Sequence, residues 1–152
     1  RWTMDNPGVW VRRAVWPEEA AAIALVRDRV FVQELGIPTE LEWETPEPPA
    51  WWVIAETGPG QPVEPVGTGR LLPSGQIGRM AVLPSWRRQG LGGLLLKALL
   101  QIADDQGHLR PWLKAQTSAI EFYRRHGFIP VGEIFDEAGI PHQSMRYEGQ
   151  QR

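Results

Sequence analysis

The period of apolar and polar positions changes several times along the chain, and each change marks the boundary of an element. Val9 to Val15 mixes Trp, Val and Arg without a breaker and predicts a strand. Pro17 follows where a helix would begin, with Glu18 and Glu19 in its first turn. Ile23, Val26 and Val30 then hold a helical stripe that Gly36-Ile37-Pro38 ends. Residues 38–50 are acidic and rich in proline, which predicts a loop. Trp51 to Glu56 reads as an apolar strand and 58–65 as a Gly/Pro loop. Val66 to Leu72 and Gln76 to Val82 form the arms of a hairpin turning at Pro73-Ser74-Gly75.

Beyond Leu83-Pro84-Ser85-Trp86, the stretch Leu94 to Gln106 is apolar on nearly every face. That predicts a helix buried against a sheet and closed by Gly107. Pro111 to Ala115 is a further strand. Ser118-Ala119-Ile120-Glu121 fits a capping box, so a short helix starts there and ends at Gly127. Phe128 to Phe135 and Gln143 to Tyr147 close the chain as strands, with a turn at Glu137-Ala138-Gly139. The order β-α-β-β-β-α-β-α-β-β predicts an α/β (α+β) mixed sheet with helices on its faces, in one domain over 1–152 and without an internal repeat.

Composition narrows the chemistry. A chain of 152 residues, 42% hydrophobic and 22% charged, has the balance of a globular domain with a real core. Its net charge of -2 gives no electrostatic reason to bind nucleic acid or an anionic membrane. The lack of cysteine removes disulfides, thiolate metal sites and thiol nucleophiles. His108, His126 and His142 have no metal-site spacing, so no metal is expected. No apolar run approaches transmembrane length and Arg1-Trp2-Thr3-Met4 does not look like a signal peptide, which makes a cytoplasmic protein the default.

The strongest chemical signal is the strand-turn-helix over 77–106. A helix starting at a glycine-rich turn offers unpaired N–H groups and a positive dipole end, and Arg87 and Arg88 add charge at its rim, so a phosphate-bearing ligand is the natural occupant. Gly90 and Gly92 would let a pyrophosphate approach the backbone closely. The nucleotide motif GxxxxGK[ST] is absent, because Lys97 follows Leu96. GxGxxG fails where Leu95 replaces its third glycine, and no acidic residue ends a following strand.

Arg87 to Gly92 does match [QR]xxGx[GA], and with the element order it resembles the GNAT superfamily of N-acetyltransferases. Three further stretches share the resemblance: Ile77-Gly78-Arg79-Met80-Ala81-Val82-Leu83-Pro84, Ala119 to Phe128, and Ala138-Gly139-Ile140-Pro141-His142. The last, with Val30-Phe31-Val32-Gln33-Glu34, is similar to the ElaA branch. The resemblance implies a mostly antiparallel central sheet with splayed central strands, flanked by about three to four helices. It implies acetyl-CoA as co-substrate, with pantetheine lying along the backbone of Met80, Ala81 and Val82 like an added strand. The Val82 N–H would polarise the thioester carbonyl. Arg87 and the amides of Arg88, Gln89, Gly90, Leu91, Gly92 and Gly93 would hold the pyrophosphate. Tyr123 would protonate the departing thiolate.

Plainer readings stand beside these. The glycine turn could be a mere connection, and Tyr123 could pack on Phe128 at the end of its helix, which is compatible with use of its hydroxyl. A two-residue turn at Ser74-Gly75 would set Arg70 opposite Arg79, and a three-residue turn would not; such a pair is either two solvated arginines or is bridged by an anion such as Glu34 or an acceptor carboxylate. His142 is either an ordinary hydrogen-bonded residue or a substrate contact, and His126 is explained as a cation at a helix end. Trp43, Trp51 and Trp52 could line an acceptor channel. Leu35 replaces the Gln usual in that branch, while Glu40, Glu42 and Glu44 supply its acidic run.

The strand Gln76 to Val82 holds no carboxylate base. The expected activity is acetyl transfer from acetyl-CoA to a primary amine, on a small molecule or peptide, by direct attack in a ternary complex. The alternative is a CoA-binding module without turnover, and a dinucleotide oxidoreductase is a more distant one. Apolar edges often pair in small domains of this superfamily, which leaves a homodimer open.

Overall fold

Strands β1 (Trp2–Thr3), β2 (Val9–Ala14), β3 (Trp51–Thr57), β4 (Pro65–Leu71), β5 (Gln76–Val82), β6 (Trp112–Gln116), β7 (Phe128–Glu137) and β8 (Ile140–Tyr147) form one sheet in the order β1-β2-β3-β4-β5-β6-β8-β7. The β5–β6 pair is parallel and the other neighbours are antiparallel. The structure, a computed structural model, describes the backbone of residues 2–3 and residues 8–44 and 46–149 in full. Arg1 and Met4, weighed above for targeting, lie outside them. Among the described residues no helix is long and apolar enough to cross a membrane.

The helices are α1 (Ala20–Arg27), α2 (Thr39–Glu42), α3 (Leu91–Asp105) and α4 (Ile120–Arg124), with a π-helical stretch over Asp28–Glu34 running on from α1. The apolar run of α3 is the centre of the core. Leu91, Leu95, Leu96, Leu99 and Ile102 are buried against Val11, Val53, Leu71, Ile77 and Leu113 of the sheet. Each such side chain contributes about 1.5–3 kcal/mol by leaving water.

Several local expectations are corrected. α1 begins at Ala20 rather than at Pro17, because Glu19 is held by the strand before it: its carboxylate accepts from the Val15 N–H at 2.7 Å and pairs with Arg12. The loop expected over 38–50 contains α2. The capping box at Ser118 does not form. A 3-10 turn occupies Thr117–Ala119, so Ala119 stands at the helix start without a side-chain cap. β1 is an addition, and α3 starts at Leu91 rather than Leu94. The last two strands are longer than expected, meeting at a turn over Ala138-Gly139 where both residues have positive φ.

The β4–β5 hairpin closes with the Leu72 N–H donating to the Gln76 carbonyl at 2.8 Å, so three residues, 73–75, make the turn. Arg70 therefore faces Gly78, and Arg79 is not its partner. Between the pairs Thr68–Ala81 and Arg70–Gly78, β5 carries one residue more than β4. That bulge falls at Arg79, whose φ of 49° lies in the left-handed region.

Candidate active site

The bulge is the origin of the site. A bulged strand bends and twists, and β5 keeps its ladder to β6 only at Gln76–Trp112 and Ile77–Leu113. Past Ile77 the two strands part, leaving the β6-facing edge of β5 open. The Leu83 N–H donates to the Val66 carbonyl at 2.9 Å, which turns Leu83 and, by alternation, Ala81 toward β4. Met80 and Val82 consequently aim their backbone groups away from β4, with the Val82 carbonyl taken by Arg87 Nε at 3.0 Å.

The same strand leads to the glycine-rich turn. Arg88 and Gly90 have φ of 64° and 81°, and the first intrahelical bond of α3 runs from the Leu94 N–H to the Gly90 carbonyl at 3.2 Å. The amides of Leu91, Gly92 and Gly93 lie ahead of that bond, at the positive end of a helix that continues to Asp105. A Cβ on Gly90 would meet nothing within 4 Å, so the turn has an open face. Close packing also favours glycine at Gly93, while Gly92 has room for an ordinary contact. A Cβ on Gly92 would sit 3.4 Å from the Phe122 ring, and one on Gly93 would sit 2.9 Å from Nε2 of His126. α4 is thus packed directly on the first turn of α3. An open cradle of amides beside the free edge of β5 fits an extended ligand with a phosphate end, as acetyl-CoA is.

Arg87 does not point into that turn. Its guanidinium holds Glu34 through two bonds of 2.7 and 2.6 Å, and its Nε donates to the Val82 carbonyl at 3.0 Å. The pair raises the pKa of Arg87 and lowers that of Glu34. Glu34 is consequently spent on Arg87, on the rim, and is not the anion between Arg70 and Arg79.

That anion comes from the segment after α2. Glu44 takes Arg70 at 2.8 Å and Arg79 at 3.2 Å, Glu47 takes Arg70 at 2.7 Å, and Glu42 lies 2.9 Å from Arg79. Arg27, fully buried on α1, completes the cluster with Glu42 at 3.1 Å and Glu47 at 2.9 Å, its guanidinium lying over the rings of Trp43 and Trp52. Those tryptophans pack the cluster and do not line the cavity beside it. Burial pushes the Glu42 carboxyl above its ordinary range. Burial also pushes Glu44 up, but Arg70 and then Arg79 bring it below. Burial, offset by Glu42, lowers the pKa of Arg79.

Above the cluster a cavity of about 510 Å³ opens into the gap between β5 and β6. Its walls include Phe31, Ile37, Gly78, Met80, Tyr123 and His142. Tyr123 is half-buried, its ring edge-on to Phe128 at 5.9 Å between centroids. Burial pushes its hydroxyl up to about 12, and no described residue hydrogen-bonds it. His142 is buried on β8 against Phe135.

The cavity thus unites Met80, Arg70, Arg79, Tyr123 and His142; Ala81 and Val82 continue along the same edge, and the 87–93 turn follows it. Arg27 and Glu47 were missed in the sequence. Arg27 did carry a signal: it stands four residues after Ile23 on the apolar stripe of α1, where a charge demands a buried partner. Among the described residues no group of His, Asp or Glu side chains is placed to hold a metal.

Residues 52–149 match the family model described as the acetyltransferase (GNAT) domain. Over 124 residues the chain is 39% identical to the Bacillus subtilis protein named uncharacterized N-acetyltransferase YjcF, spanning 79% of this chain and 86% of that one. It is 37% identical to Escherichia coli ElaA over 73 residues, 47% of this chain and 48% of ElaA. A solved acyl-CoA N-acyltransferase from Pseudomonas aeruginosa superposes with a TM-score of 0.74 at 27% identity, covering 91% of this chain and 99% of that one.

Proposed function

Because the chain belongs to the acetyltransferase (GNAT) domain family, we propose that it transfers the acetyl group of acetyl-CoA to a primary amine by direct attack in a ternary complex. The observation that carries this reading is the open β6-facing edge of β5, running from the cavity to the turn at Gly90. Acetyl-CoA bound there would supply an activated thioester. The Met80 and Val82 backbone would hold its extended arm as a sheet holds a strand, and the amides of Leu91, Gly92 and Gly93 its pyrophosphate. The Val82 N–H is aimed where it can polarise a carbonyl. Tyr123, kept protonated by burial, holds a proton at Oη for a departing thiolate.

The acceptor would occupy the cavity itself, whose apolar walls include Phe31, Ile37 and Ile140. A space of about 510 Å³ suits a small molecule or a single side chain or terminus of a peptide. Arg70, Arg79 and His142 line it, while Glu34 is paired with Arg87 outside its walls. The partial match to ElaA supports placing the chain near that branch. Thiol release from acetyl-CoA, measured against a panel of amines, tests the proposal. Amine-dependent release with intersecting initial-velocity lines is expected. Acetyl-CoA binding without release would make the chain a CoA-binding module, and parallel lines would rule out the ternary complex.

A further inference from the structure

The amine of the proposed reaction arrives at neutral pH as an ammonium ion, so a base or a water chain must take its proton, and every carboxylate lining the cavity already has a cation. Glu42 is held by Arg27 and Arg79, Glu44 by Arg70 and Arg79, and Glu137 by Lys114 at 3.1 Å. His142 is differently placed. Its Nδ1 lies 2.7 Å from the Ile140 carbonyl, which can only accept, so Nδ1 carries the hydrogen and Nε2 presents a lone pair. No described residue takes Nε2. The ring is fixed by stacking on Phe135, with centroids 5.9 Å apart and planes inclined at 24°, and its strand is paired on both sides, opposite Gln116 and Phe135. A buried imidazole of fixed tautomer, lining the same cavity as Tyr123, has the chemistry of a general base.

We propose that His142 is the catalytic base that deprotonates the acceptor amine; this rests on the acetyltransferase reading above. Nε2 takes one proton from the ammonium, and the nitrogen lone pair so freed bonds the acetyl carbon. The C–S bond breaks with its electron pair on sulfur. The thiolate takes the Tyr123 proton, the second proton lost by nitrogen restores Tyr123, and His142 returns its own to solvent. Tyr123 on α4, the Lys114–Glu137 pair on β6 and β7, Arg70 on β4, Arg79 on β5, and Glu42 and Glu44 across the cavity are the charged or titratable groups facing this chemistry.

The test is His142→Asn, whose side-chain amide can keep the bond to the Ile140 carbonyl while removing the Nε2 lone pair, with His142→Gln as a second variant. Both are assayed for thiol release with alkylamines such as benzylamine, which are cations at neutral pH, and with aniline and methoxyamine, which are not. The expected result is a loss of about 10²–10⁴-fold in kcat/KM for the alkylamines, recovered as pH rises toward their own pKa, with little change for the neutral nucleophiles. Equal loss for both classes in both variants means a structural role and overturns the proposal, as does an unchanged alkylamine pH profile. A wild-type protein silent with the whole panel overturns the transferase reading beneath it.

Discussion

Arg87 and Glu34 form a two-bond ion pair across 53 positions of sequence, and the same guanidinium caps the Val82 carbonyl at 3.0 Å. The π-helical end of the first helix is thereby tied to the place where β5 turns toward Gly90. Both side chains are partly exposed, so the pair is worth less to stability than to position. Arg87→Ala should move the thermal midpoint little, by the equivalent of about 1 kcal/mol or less. Acetyl-CoA affinity should fall more than that, because the strand-to-turn junction loses its brace. Calorimetric titration beside a melting curve checks both halves.

Tyr123→Phe keeps the ring against Phe128 and removes only the hydroxyl. Acetyl-CoA Kd should hold while kcat drops by about 10²–10⁴-fold, the range of a lost acid group. With its pKa pushed up to about 12, Tyr123 stays protonated through the working range, so kcat should show no alkaline fall from this group below about pH 11. A single-turnover measurement separates chemistry from product release.

The strands and the long helix were readable because their apolar periods are unambiguous. Gln76 to Val82 and the apolar run after Gly90 fall where the pattern put them, and the glycine turn and Tyr123 stand on the expected elements. What sequence could not carry was side-chain partnership. Nothing local distinguishes Glu34, which holds Arg87, from Glu44, which holds Arg70 and Arg79; the π-helical stretch and the one-residue bulge at Arg79 decide it. The acidic, proline-rich segment read as a loop because its carboxylates find their arginines only in three dimensions.

Arg27→Met tests the buried cluster. Arg27 is 0% exposed and serves Glu42 and Glu47 together, so its removal leaves Glu42, Glu44 and Glu47 to share Arg70 and Arg79, one carboxylate in excess. Loss of one partner from such a pair costs about 3–5 kcal/mol, which a denaturant midpoint will register.

Glu44 gives the cluster a pH signature. Its lowered pKa means that its contribution is present above the unfolded value of about 4.5 and is lost as pH falls through the folded one. Glu42 has the opposite sign, its raised pKa making its contribution disappear as pH rises. The stability gap between wild type and Glu44→Gln, followed by urea midpoints, should therefore be full near neutrality and close below about pH 4.5.

The central claim is that acetyl-CoA lies along the free edge of β5 with its phosphates on the turn at Gly90. Titration of acetyl-CoA into wild type and Gly90→Val tests it most directly, since a branched side chain there both fills the open face and opposes the φ of 81°. The account predicts saturable one-to-one binding to wild type and an affinity weakened by about tenfold or more in a folded variant, about 1.4 kcal/mol or more. Undiminished affinity in Gly90→Val, or stabilisation of wild type by NAD in place of acetyl-CoA, would contradict it.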